Sequence, residues 1–515
     1  MSARCVRAGL LDRRTLLKLG LAGGGVIAAH SLAGLSQRPA IAAEPARARR
    51  ILIVNLSGGI RSSAAFHAAP DNAADALQHN PWGTIQGGAA GNLSLGQLLD
   101  DHVRTGAPAG AAIAPTGVPT APQGDAAYRT DPAGGWKGEL LPRFRDAANY
   151  AVVGTWHEMR GDHVRSSFEE ATGFPDGGRP GILTRALAGL DAKGQAAVPG
   201  FHVSPFAYFG NAAGAVVRHA PVSLASPYAL PGEAVLDATE LAAIGHDWAR
   251  DEDMRDRLDS TRLEGRAGFA RQLIEGFTAH RRTNRVIGAR LAEPWVHVET
   301  GAAEASYGAV SLAGGEVPLT NAMLYELAQL VAPTGGYGMS YFEDALNWML
   351  AVRLLQLGSP AVAIETAGFD LHSGEATEAP LLYSTLGRLW ATLGWLLARI
   401  PEADGEGSML DHTLVVTMSD FGRDRGKVAG FNGGEGSDHG VDASCFYLAH
   451  AVMGAGVVPD RILGAAPVET FDPRGQAELF TPHHLLATLL AALGLDHEAP
   501  VWGFDDITSV IPLWS

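Results

Sequence analysis

Pro360-Ala-Val-Ala-Ile-Glu-Thr-Ala-Gly-Phe-Asp370-Leu-His372-Ser373 and Thr413-Leu-Val-Val-Thr-Met-Ser-Asp420-Phe-Gly-Arg423 share one design. Each is a short apolar, β-rich run that breaks into acid, glycine and either histidine or arginine. A continuous apolar run of this length fits a strand buried on both faces, as in a parallel sheet. Arg50-Ile-Leu-Ile-Val-Asn-Leu56, ended by Ser57-Gly-Gly59, and Tyr150-Ala-Val-Val-Gly-Thr155 repeat the pattern. Between the runs lie helical periodicities, notably Phe342–Leu357 and Leu382–Ile400. Strands alternating with helices predict an α/β fold: a mostly parallel central sheet covered by helices on both faces. In such a sheet ligands bind beyond the carboxyl ends of the strands, which is where the acids and histidines fall.

The outer parts of the chain read differently. Asp12-Arg13-Arg14-Thr-Leu-Leu-Lys18, an apolar stretch from Leu19 to Ala29, and Ala40-Ile-Ala42 have the order of a twin-arginine signal peptide over residues 1–42. The apolar stretch falls short of the roughly 20 residues a membrane span needs. The expectation is a periplasmic or secreted protein, handled by the twin-arginine translocase and without a stable membrane span. Residues 43–515 read as a single domain, in which the charged stretch of about 232–295 is an inserted helical section. Thr481 to Leu493 reads as a helix with Pro482 in its first turn and Gly494 just past its end.

Without residues 1–42 the chain keeps 33 basic and 54 acidic residues, a net charge near −21. That surface repels nucleic acid and anionic lipid. Cys445 is then the only cysteine, so no internal disulfide forms and stability rests on the core. With 64 glycines and 29 prolines in 515 residues, long loops surround that core.

Asp370 and His372, two residues apart after a strand, point to one side if the chain stays extended. A carboxylate with an imidazole suits Zn, Mn or Fe; Ca, which favours more oxygens, completes the range of divalent metals considered. Asp420 ends the next strand, and Arg423 either holds a substrate oxyanion with its planar fork or closes an internal ion pair. Gly430-Phe-Asn-Gly-Gly-Glu-Gly436 leads to Ser437-Asp-His439-Gly, where backbone can approach a ligand closely. In Arg165-Ser-Ser-Phe168, Ser166 is a candidate nucleophile; the other expectation is helix capping by Ser166 or Ser167, with the acids Glu169 and Glu170 in the first turn.

Together, Arg-Ser-x-Phe, Gly-Phe-Asp-x-His, Ser-Asp-Phe-Gly-Arg and Gly-x-Asp-His-Gly, behind a twin-arginine signal, resemble the domain-of-unknown-function family 1501. That family is similar in fold to the alkaline phosphatase and sulfatase superfamily. The resemblance implies a metal-assisted hydrolase of small anionic phosphate or sulfate esters. Asp370, His372 and His439 would hold one metal, Asp420 would belong to a second, and Ser166 would be the nucleophile, with Arg423 positioning the anion. Three departures stand out: Arg61 near the usual acidic ligand of the first strand, Phe421 where a histidine is common, and Ser167 likewise. They fall mainly on the second metal position and point to one metal, or none, with Arg61 and Arg423 substituting positive charge. The competing expectations are a non-catalytic binding or assembly protein with an eroded metal centre, and a structural surface protein.

Overall fold

A computed structural model describes residues 46–60, 150–158, 161–195, 200–204, 208–211, 219–224, 309–312, 314–332, 341–372, 375–402, 404–423, 443–459, 462–464, 480–497 and 510–514, with Leu99 and Val103. The signal stretch, the 232–295 section, Arg61, Asp438 and His439 lie outside the described residues.

In chain order the strands are β1 (Arg50–Leu56), β2 (Ala151–Trp156), β3 (Phe201–Val203), β4 (Val222–Leu224), β5 (Ala309–Leu312), β6 (Gly315–Pro318), β7 (Ala361–Thr366), β8 (Thr413–Ser419), β9 (Tyr447–Met453) and β10 (Ile462–Leu463). The helices are α1 (His163–Thr172), α2 (Ile182–Ala192), α3 (Asn321–Val331), α4 (Tyr341–Gln356), α5 (Glu375–Leu397) and α6 (Pro482–Ala492). Eight strands form one sheet in the order β10-β2-β9-β8-β1-β7-β3-β4. All its pairings are parallel except those of β9, which runs against both β2 and β8. β5 and β6 make a separate antiparallel pair.

The alternation of side chains along β1 divides the core in two. Leu52, Val54 and Leu56 join one cluster with Leu324 of α3, Trp348 and Leu354 of α4, and Trp395 of α5. Ile51 and Ile53 join the other with Leu183 and Leu187 of α2 and Leu486 and Leu490 of α6. Helices therefore cover both faces, as the continuous apolar strands predict. Fully burying one such aliphatic side chain contributes roughly 1.5–3 kcal/mol.

The four long apolar runs are strands within a residue of their expected bounds, and so is α4. α5 begins seven residues before the expected Leu382, because Glu375-Ala-Thr-Glu-Ala-Pro380 is polar and carries no apolar period. α6 starts at Pro482, capped by Thr481, and Gly494 follows it at φ 65°. Cys445 is buried. Among the described residues no helix is long and apolar enough to cross a membrane.

His202, on β3, is buried beside Phe209 with no hydrogen-bond partner for its Nδ1 among the described residues. Burial pushes its pKa down to about 4, against about 6.5 in an unfolded chain. Between those two pH values the unfolded chain takes up a proton that the folded chain refuses. Stability is whole above about pH 6.5 and falls by about 3 kcal/mol as the pH drops through that interval. His202→Phe is expected to remove this share of the acid sensitivity. Urea melts of both proteins at neutral pH and near pH 4.5 measure it; parallel losses in the two would show that His202 does not titrate on unfolding.

Candidate metal centre

The centre is built on the turn that leaves β1. Because β7 and β8 flank β1 and run parallel to it, all three strands release their chains at one end of the sheet. The turn ties the three exits together. Ser57 N–H donates to Thr366 O at 3.0 Å, and Phe369 N–H donates to Ser57 O at 3.3 Å. Ile60 N–H donates to Phe421 O at 3.0 Å, and Arg423 N–H donates to Ile60 O at 3.2 Å. Gly58 has φ 112°, and a Cβ there would lie 2.4 Å from the backbone nitrogen of Asp370. Only glycine admits both the conformation and the approach. From the other side, Trp348 Nε1 of α4 donates to Thr366 Oγ1 at 2.8 Å, fixing the end of β7 before Asp370.

Gly58 N–H points at the Asp420 carboxylate, 3.3 and 3.2 Å from its two oxygens. Gly58 O accepts from Arg423 Nη1 at 3.1 Å, and the same nitrogen donates to Asp370 Oδ1 at 2.7 Å. His372 Nε2 is 3.0 Å from Asp370 Oδ1. A further residue completes the group. His163, the first residue of α1, places Nδ1 2.8 Å from Asp420 Oδ2 and Nε2 3.5 Å from Asp370 Oδ2. Its ring lies 4.8 Å from that of Phe421. The hydrogen bond to Asp420 raises the His163 pKa above its ordinary value, while burial and Arg423 oppose the rise. A positive imidazole is unfavourable at a helix N-terminus; here the two carboxylates outweigh the helix.

His163, Asp370 and His372 bring one donor atom each to within 4.8 Å of one another at a partly exposed position. Two imidazoles and a carboxylate fit a Zn-, Mn- or Fe-like ion. Asp420 is nearly enclosed, and its bond to Nδ1 would direct the other His163 nitrogen toward such an ion. The sequence places Asp420 at a second metal; the structure sets it against His163 and the β1 turn. Phe421 is fully buried, and a Cβ on Gly59 would lie 2.4 Å from its ring. The Phe421 ring thus packs against the β1 turn and beside the His163 ring.

The sequence of residues 48–508 matches the family described as "Protein of unknown function (DUF1501)". The chain belongs to that family. No curated protein and no solved structure matches it.

For this DUF1501 member the remaining site expectations fall as follows. Arg423 is buried, its side chain 1% exposed, and forms an internal ion pair, with Asp370 as the partner. Ser166 is buried in the second turn of α1, and its hydroxyl has no hydrogen-bond partner among the described residues. Neither it nor Ser167 caps the helix: Asp162 does, its Oδ1 accepting from Arg165 N at 3.1 Å. Moving the cap to Asp162 puts His163, not a serine, at the first helical position, and carries Glu170 from the first turn into the helix interior. His163 has one signal in the sequence: it stands three residues before Ser166 and so shares its helical face.

A second polar group lies deeper. His157, Glu170 and His450 are fully buried, and their donor atoms also gather within 4.8 Å. Burial pushes the His450 pKa down to about 4 against the pull of the Thr417 carbonyl. His157 is lowered by burial and then by His450. Glu170 is held well above the carboxylate range by burial, with Glu169 and Asp420 adding to the effect and the Ser419 amide opposing it.

Two substitutions test the outer centre. Asp420→Asn keeps the shape but weakens the partner of His163, and should lower zinc affinity there by about 10–100-fold in a chelator competition. Gly58→Ala has no room for its methyl group and forces a strained φ. It should cost at least about 1–3 kcal/mol in urea unfolding. An unchanged midpoint would show that the turn is not the anchor.

Proposed function

We propose that this DUF1501 member is an exported, metal-dependent hydrolase of small phosphate or sulfate esters, with an alkaline-phosphatase-like fold. The observation that carries the proposal is the convergence of His163, Asp370 and His372 at the carboxyl end of three parallel strands, backed by Asp420 and Arg423. His163, Asp370 and His372 would hold the ion, and His439 joins them by the family resemblance. A bound divalent ion would neutralise ester oxygens and lower the pKa of water toward about 7.

The chain's own residues do the rest. Asp420 fixes the His163 ring through Nδ1. Arg423 holds Asp370 in place and adds positive charge behind it, favouring an anion in front. Nearby charge of this kind outweighs the distant, screened acidity of the surface. Ser166 is the proposed nucleophile: it shares a helical face with His163, and its hydroxyl is uncommitted among the described residues.

A second proposal is a binding or assembly protein that has kept the fold and lost the chemistry. Phe421 favours it, since it stands where the resemblance puts a histidine ligand and its ring is buried beside His163. The two proposals part on turnover. Protein grown with Zn, Mn, Fe and Ca supplied is expected to hold metal, and Asp370→Ala to hold one ion fewer. A panel of phosphate and sulfate esters is expected to show turnover that Ser166→Ala lowers by roughly three orders of magnitude or more. Metal without turnover would favour the binding protein, and full activity in Ser166→Ala would remove that residue as nucleophile. Wild-type protein without metal would end the hydrolase proposal.

A further inference from the structure

The carboxylate of Glu170 is the least accounted-for polar group in the described core. It is 1% exposed, and neither oxygen makes a well-formed hydrogen bond among the described residues, the Ser419 amide being only a nearby donor. Its neighbours are imidazoles, with His157 Nε2 3.4 Å from Oε2 and His450 Nδ1 3.7 Å from Oε1. A buried polar group left so is costly, the more if charged.

The histidines around it are held in definite states. Thr417 O can only accept, so His450 Nδ1, 2.8 Å away, carries the proton and Nε2 presents a lone pair. That Nε2 lies 2.6 Å from Thr155 Oγ1, and His157 Nε2 lies 3.0 Å from the same oxygen. The His157 backbone is pinned by its N–H to Phe446 O at 2.8 Å. A neutral network can satisfy the two imidazole–threonine contacts, but it gives Glu170 no well-formed hydrogen bond beyond the nearby Ser419 amide.

We propose that His157 Nε2, His450 Nε2, the Glu170 carboxylate and Thr155 Oγ1 form a second, enclosed site for a zinc-like divalent ion. A tetrahedral ion with bonds of about 2.0–2.1 Å sets its ligand atoms about 3.3 Å apart. Three of the six donor separations here are 3.4, 3.0 and 2.6 Å, so those pairs need to move by less than about 1 Å. Four protein donors and full burial describe a structural site, closed to substrate. The His450 Nδ1–H bond to a carbonyl is the support that orients a ligating imidazole. Glu169 and Asp420, which both act on Glu170, make the surroundings negative and favour a cation. The ion would join β2, β9 and α1, elements far apart in the chain.

The test is made on the full chain with the outer centre disabled by Asp370→Ala and His372→Ala together. Expressed with zinc supplied and dialysed against a mild chelator, this protein is expected to retain one zinc per chain. Adding Glu170→Gln or, separately, His157→Gln should remove it, with circular dichroism confirming that each variant scored is folded. Cobalt in place of zinc should give the visible bands of a four-coordinate ion that Glu170→Gln abolishes. No zinc in the outer-centre variant would overturn the proposal, whatever the outer centre does. So would zinc that survives both added substitutions in folded protein.

Discussion

Gly58 spends both of its backbone polar groups on the centre. Its N–H goes to Asp420 and its carbonyl to Arg423, while its missing side chain leaves space for the backbone of Asp370. Three strand exits are thereby locked at one point, and each brings a different group: an acid from β7, an acid and an arginine from β8, the glycine turn from β1. The surrounding architecture serves this junction. β1 can be its centre only because two parallel partners flank it and two separate cores bury its faces.

Much of the fold was legible in the sequence for a physical reason. Interior strands of a parallel sheet are apolar on both faces, so β1, β2, β7 and β8 appear as unbroken runs. Short strands such as β3 and the edge strand β4 carry too few residues to form a pattern, and the reversed direction of β9 has no local signature. The start of α5 was hidden because its first two turns are polar. Asp370, His372 and Asp420 were legible because each follows a strand directly. His163 was not, since its partner Asp420 lies 257 residues away. Glu170 looked like a helix-start acid until Asp162 proved to be the cap. His450 sits inside an apolar strand, where an unpaired histidine usually means packing.

The two polar groups differ in how they manage charge. The outer one sets two carboxylates against Arg423 and against His163, whose pKa they raise, at a position partly open to water. The inner one keeps its imidazoles neutral and its acid out of the usual range, because no water reaches it. α1 links them: His163 begins the helix at the outer group, and Glu170, two turns on, reaches the inner. Asp420 acts on both residues.

The pairing of β1 also sets a timetable for the growing chain. Residues 50–56 leave the ribosome early, but their partners at 361–366 and 413–419 follow some 300 residues later. At 5–20 residues per second, that is a wait of roughly 15–60 s. Throughout it Ile-Leu-Ile-Val-Asn-Leu, a strongly aggregation-prone segment, has neither neighbour available. The strand at the centre of the finished junction therefore spends most of synthesis without either neighbour.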